Sequence, residues 1–194
     1  MGDSGALNNN TQKTLKINKK LCIQPFGRAI SKSLIEVVDY LYNKLQSFLN
    51  HVSVLDLMEI PPLYNSVRRQ YNSYDIIKAI KSRCDINIGI LEEDIYSPGF
   101  NFVFGLAEIE DEKAVGGRAV VSIHRLKPEF YGFNADKDLL KIRTLKEVMH
   151  ETGHILGLNH CPDSKCVMHF SNSIIDTDIK NWMYCPKCLK KLIS

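Results

Sequence analysis

Residues 150–170 read HETGHILGLNHCPDSKCVMHF, a stretch holding four of the six histidines and two of the six cysteines of this 194-residue chain. His150 and His154 stand four residues apart in a segment patterned as a helix, so both imidazoles project from one face. That spacing lets two rings approach one tetrahedral Zn²⁺ at about 2.0–2.1 Å each. The pair alone is a weak signal, arising by chance in roughly one in two hundred chains of this size. Gly157 and His160 sharpen it. Glycine readily takes the left-handed conformation that ends a helix, and the turn sets His160 to supply a third ligand. Requiring both residues lowers the chance rate by a further factor of roughly several hundred.

Three neutral histidines leave a fourth zinc position open for water, whose pKa the metal lowers to about 7. Glu151 adjoins the first ligand and can reach that open side without binding the metal. It is the expected general base, taking a proton from water and returning it to a leaving amine. These parts suit hydrolysis of an amide bond, with a peptide or protein as substrate. A zinc-structured module that binds peptides with little turnover is the alternative. Glu151 counts against it, because a pure binding site has no use for a base there.

Cys161 and Cys166 form a Cys-x₄-Cys pair, and Cys185 and Cys188 form Cys-x₂-Cys. Four thiolates in two short loops are what a closed, structural zinc site needs. Two zinc ions per chain are therefore expected, one catalytic on the histidines and one structural on the cysteines. His160 and Cys161 are neighbours, and in an extended turn successive side chains point to opposite sides. The two sites would then share a wall.

Outward from this stretch, SLIEVVDYLYNKLQSFLN (33–50) predicts a helix. Leu34, Val37, Val38, Leu41, Leu45, Phe48 and Leu49 recur at helical spacing, and Ser33 with Glu36 makes a capping box. A shorter helix is predicted over 73–83 and a third from about Asp136 to Leu156. Strands are predicted over 20–26, 52–60, 86–92, 100–109 and 117–126, the last two joined by a loop holding Gly116 and Gly117. Alternating strands and helices point to a sheet layer covered by helices. After Gly157 the periodicity fades and Cys, Asp, Asn and Lys dominate, so order there is expected to depend on something other than a hydrophobic core. Residues 1–13 are expected to be a disordered tail. That leaves 14–194 as a single domain, with an upper lobe to about 157 and a lower lobe over 158–194.

The 44% apolar and 24% charged residues are ordinary for a globular protein. A formal net charge of +3 gives no reason to invoke nucleic acid, and Lys187, Lys190 and Lys191 read as solvated surface. No stretch approaches the ~20 apolar residues of a membrane span, and MGDSGALNNNTQKT carries no signal-like apolar run. A cytoplasmic monomer is expected, with cysteines reduced and Cys22 and Cys84 as buried inert thiols. Other candidates are Tyr131 as an oxyanion donor and His169 as a displaced ligand. Asp176 and Asp178 would fix the tail or orient a ligand histidine, while His51 and His124 read as structural or exposed.

With its third histidine the motif resembles that of the metzincin metallopeptidases. The cysteines narrow the resemblance to the archaemetzincins, whose pattern runs HExxHxxGxxH-C-x₄-C-x-M and ends in CxxC. Every fixed element stands here, at His150, Glu151, His154, Gly157, His160, Cys161, Cys166, Met168, Cys185 and Cys188. RRQYNS (68–73), NFVFGLAEI (101–109) and VVSIHRLKPEFYG (120–132) extend the likeness over roughly residues 20–190. It implies a zinc peptidase of α+β, zincin-like fold. A mixed β-sheet with helices would form the upper lobe, followed by an active-site helix and a small irregular zinc-stapled C-terminal lobe, with the cleft between lobes. Met168 would pack beneath the three histidines, and NFVFGLAEI would be the edge strand to which an extended peptide adds antiparallel.

Overall fold

The computed structural model describes residues 16–111 and 116–193. The tail expected over 1–13 lies outside the described residues. Strand and helix alternate through the first half of the chain: β1 (Ile17–Pro25), α1 (Lys32–Leu45), β2 (Leu49–Val54), β3 (Tyr64–Asn65), β4 (Gln70–Asn72) and α2 (Ser73–Ala79). Then follow β5 (Ile86–Leu91), β6 (Ile95–Tyr96), β7 (Gly105–Asp111), β8 (Gly116–Ser122), α3 (Lys137–Ile155), α4 (Ile174–Ile179) and α5 (Pro186–Ile193). Among the described residues no helix is long and apolar enough to cross a membrane.

Five strands make the main sheet in the order β2-β1-β5-β8-β7. The first four pair in parallel, and β7 closes one edge antiparallel to β8. β5 is buried at every position, as a central parallel strand covered on both faces must be. The two faces are legible in β8. Ala119 and Val121 join a core with α1 and α3, whereas Val120 between them packs with Ile76 and Ile77 of α2. Leu34, Val37, Val38, Leu41 and Leu45 give α1 a buried stripe, each side chain worth about 1.5–3 kcal/mol of burial. The architecture is α+β, with sheet and helices above and a tail of short helices below.

Several boundaries differ from expectation for tertiary reasons. The N-cap of α1 is Ser31, whose Oγ accepts from Leu34 N–H at 3.0 Å. Ser33 lies inside the helix, and Glu36 pairs instead with Lys137 at 2.8 Å. The helix ends at Leu45 because Leu49 leaves it to pair with Ile17. Strand pairing in β7 begins only at Gly105, and residues 100–104 form a loop over the cleft. Gly116 and Gly117 belong to β8, where Gly117 pairs with both Ile86 and Ile109.

The C-terminal segment also has more core than its composition suggests. Leu158, Val167, Met168 and Tyr184 are buried in the cluster that holds the α1, α3 and sheet residues. A further correction concerns Cys22 and Cys84, expected as separate thiols. They form a disulfide, with Cα atoms 5.7 Å apart across a sequence separation of 62. Parallel pairing of β1 with β5 sets Cys22 opposite Asn87, close to the loop that carries Cys84.

Candidate metal centre

α3 is capped by Asp136, whose side chain accepts from Leu139 N–H at 2.9 Å. Its C-terminal half is buried almost all round, from Arg143 to Gly153. The helix ends where Gly157 takes φ +85°, a conformation that costs little only for glycine. Gly157 N–H donates to His154 C=O at 2.9 Å and Leu158 N–H to Gly153 C=O at 2.8 Å, the paired bonds of a Schellman turn.

The same turn aims a histidine. Leu158 C=O accepts from His154 Nδ1 at 2.9 Å, and Val167 C=O accepts from His150 Nδ1 at 2.8 Å. With both Nδ1 protons committed to carbonyls, the two Nε2 atoms carry lone pairs. They nevertheless stand 3.1 Å apart. Two facing lone pairs at that distance call for a cation, and tetrahedral zinc would hold such nitrogens about 3.3 Å apart. His160 completes the group, with one nitrogen of each ring within 4.8 Å of the others. Burial, joined by the nearby Lys180 cation, holds all three imidazoles below their ordinary pKa. That shift favours the neutral imidazole, the form in which histidine binds a metal.

Glu151 stays outside this donor group yet lines the same cavity as His150. Its carboxyl is buried against the edge strand, where a Cβ on Gly105 would lie 2.6 Å from its Oε1. Burial first, then the carboxylate of Glu147, pushes the pKa of Glu151 up to about 8. The cavity, about 190 Å³, lies between residues 100–105, α3 and residues 170–172.

Below the histidines, Cys161, Cys166, Cys185 and Cys188 converge. Cys161 Sγ is 3.9 Å from Cys185 Sγ, and Cys166 Sγ is 3.8 Å from Cys188 Sγ. Tetrahedral Zn–S bonds imply about 3.8 Å, so this donor set also fits zinc. His160 faces one group and Cys161 the other. Met168 is fully buried beneath Gly153 of the histidine helix.

The remaining candidates are tied elsewhere. Tyr131 donates to Arg125 C=O at 2.8 Å and lies outside the lining of the cavity. His169 Nδ1 pairs with Cys161 C=O at 3.1 Å, His124 with Glu92 C=O at 3.3 Å, and exposed His51 with Ser53. Asp176 caps α4 through Ser173. Asp178 binds Arg143 with both carboxylate oxygens, at 2.8 and 2.7 Å. Neither aspartate orients a ligand histidine; backbone carbonyls do that for His150 and His154.

Sequence reasoning missed a buried polar seam between α3 and α4. Lys146 Nζ donates to the carbonyls of Thr177 and Asp178. Thr177 Oγ1 donates to Glu147 Oε1 at 3.0 Å. The Lys180 side chain is fully buried with Nζ 3.0 Å from the same oxygen, an ionic approach without good hydrogen-bond alignment. The nearest sequence signal was Lys146-Glu147 placed one turn before His150 and Glu151.

A helix with two converging histidines, a third beyond its turn and an antiparallel edge strand above define a zinc metallopeptidase. The chain belongs to Peptidase family M54, whose sequence profile matches residues 34–194. It is 48% identical over 174 residues to an archaemetzincin of Methanocaldococcus jannaschii, covering 89% of this chain and 92% of that one. It is 47% identical over 169 residues to an archaemetzincin of Pyrococcus horikoshii, covering 81% and 87%. The crystal structure of the Archaeoglobus fulgidus archaemetzincin superposes with TM-score 0.75 at 39% identity, covering 89% of this chain and 99% of that one. That of the Methanopyrus kandleri archaemetzincin gives 0.74 at 34%, covering 91% and 94%.

Proposed function

We propose that His150, His154 and His160 hold a catalytic zinc, that Cys161, Cys166, Cys185 and Cys188 hold a structural one, and that Glu151 is the general base of peptide-bond hydrolysis. The observation that carries this reading is the pair of facing Nε2 lone pairs 3.1 Å apart, with the Glu151 carboxyl beside them and outside the donor set. When bound, zinc supplies a Lewis acid that acidifies water and polarises a carbonyl.

The chain's own residues do the rest. β7 offers its free edge to the backbone of an extended substrate, which adds antiparallel and so has its register fixed. Burial holds the pKa of Glu151 at about 8, and a metal cation on the neighbouring histidines would favour its ionised form. In that form the carboxylate accepts the proton of the attacking water and delivers it to the leaving amine. Gly105 leaves room for that carboxylate against the strand. The Nδ1–carbonyl bonds hold two histidines in the ligand tautomer. We further take the enzyme to be one peptidase domain with a lower lobe over 158–194, acting as a cytoplasmic monomer. The Cys22–Cys84 disulfide is the feature that weighs against a reducing compartment.

The test uses zinc-replete protein and a degenerate peptide library read by mass spectrometry, with Glu151→Ala alongside and zinc measured for both. Wild type should hold two zinc ions and cut. Glu151→Ala should keep both ions and lose about 10²–10⁴-fold in rate. If neither protein cuts while both hold two ions, the peptide-binding alternative takes over.

A further inference from the structure

The 190 Å³ cavity beside His150 and Glu151 has a chemistry of its own. Phe100, Phe102 and Phe170 form its aromatic rim. Phe102 is fixed there, because the Arg125 guanidinium lies 4.3 Å over its ring and is itself held by both oxygens of Asp94. Glu147, a carboxylate only 3% exposed, lines the same cavity. Its Oε1 is occupied by Thr177 and Lys180. Among the described residues no donor reaches Oε2, and this oxygen is not sealed from solvent.

The direction of the substrate follows from the sheet. β7 runs from Gly105 to Asp111, so an antiparallel peptide runs from the Ile109 end toward Gly105. Leu106, Ile109, His154 and Asn159 line a separate recess at the first end, and the Glu147 cavity lies at the second. The Glu147 cavity therefore meets residues on the C-terminal side of the bond being cut.

We propose, on the reading of this chain as a peptidase, that this cavity receives the side chain immediately after the scissile bond and selects one with an aromatic body and a neutral hydrogen-bond donor at its tip, tyrosine above all. The rim supplies flat apolar surface, and Glu147 Oε2 supplies the acceptor. A cationic side chain is disfavoured because Lys180 already neutralises Glu147, and Lys146 and Arg143 stand behind it. An anionic one would set a second proton-free acceptor against Glu147 Oε2, with no hydrogen between the two oxygens. Phenylalanine fits the rim but leaves the acceptor unmatched, which a site built for a hydroxyl penalises.

The test is a set of peptides identical except for Tyr, Phe, Leu, Lys or Asp after the scissile bond. A parallel calorimetric titration uses the product-like dipeptides Tyr-Ala and Phe-Ala, which requires no turnover. Tyr should exceed Phe by about tenfold or more in both kcat/KM and dipeptide affinity, with Lys and Asp the poorest. The double variant Glu147→Leu/Lys180→Met removes both charges together, so no ion is left buried alone, and should bring the Tyr/Phe ratio to about one. If that variant does not fold, the two wild-type ratios decide. Cleavage without preference for Tyr over Phe, or with preference for Lys, overturns the subsite and leaves the peptidase reading standing. Tighter binding of Tyr-Ala without cleavage of any peptide supports the subsite and counts against the peptidase; equal dipeptide affinities without cleavage overturn both.

Discussion

A Cβ placed on Gly153 would stand 2.3 Å from Sδ of Met168 and 2.9 Å from Cε1 of Tyr184. The histidine helix and the methionine beneath it thus meet with no room for a side chain. Neither neighbour can step aside freely, since Met168 is fully buried and Tyr184 donates to Met149 C=O at 2.7 Å. Gly153→Ala should gain about 1 kcal/mol of helix propensity but lose about 1–3 kcal/mol to overpacking. Met168 follows Val167, whose carbonyl orients His150, so the shift should also weaken metal binding at the histidines. Urea unfolding with zinc titration checks this. A variant more stable than wild type, with unchanged affinity, would show that the contact is soft.

Gly105 and Glu151 make a second contact of this kind, now between the edge strand and the proposed base. Gly105→Ala must push the carboxylate, because the atoms met include Glu151 Cγ at 2.9 Å as well as Oε1. The three histidines are not touched. Zinc content should therefore stay at the wild-type value while kcat/KM falls by about tenfold or more, since small misplacement of a catalytic group is costly. Loss of zinc together with activity would instead mean that the strand supports the metal site itself.

The two clusters proposed as zinc sites could be picked out in the sequence because each is built from residues at short, regular spacings. His150, His154, Gly157 and His160 lie on one helix and the turn that ends it, and helical geometry plus one left-handed residue places them. What stayed hidden depends on contacts far apart in the chain. Glu147 and Lys180 are 33 positions apart and become a pair only when α4 packs on α3. Ser31 and Ser33 are equally good caps by composition, and α1 selects Ser31 by where it starts. Gly105 and Gly153 look like any glycine until a partner element stands against them. The edge strand was visible as a run of apolar residues, but 100–104 belong to the cavity rim, because pairing with β8 begins only at Gly105.

The Cys22–Cys84 bond ties β1 to the loop before β5. Closing a loop of this length restricts the unfolded chain by as much as about 4 kcal/mol. Oxidised protein should therefore melt higher than the Cys22→Ala/Cys84→Ala variant, by about 2–4 °C for each kcal/mol retained. Thiol titration in denaturant with a chelator should find only the four cysteines of the sulfur cluster. Six reactive thiols in freshly isolated protein would restore the reading of both as reduced, and would agree with a reducing compartment.

The two donor groups share one short segment. Cys161 follows His160 directly, and its N–H donates to Met168 C=O at 2.9 Å. Cys185 sits opposite, its Sγ 3.9 Å from that of Cys161 and its N–H donating to Cys166 Sγ. Cys185→Ser should remove the structural zinc. The loops that it cross-links carry His160 on one side and the Val167 carbonyl on the other, so both supports of the histidine site should loosen. The expected result is loss of one zinc, a fall of about tenfold or more in affinity for the other, and a lower unfolding midpoint. His160→Ala, by contrast, leaves the four sulfurs in place and should keep the structural ion. If Cys185→Ser loses a single zinc yet keeps wild-type cleavage and stability, the sites are independent and the shared segment couples nothing.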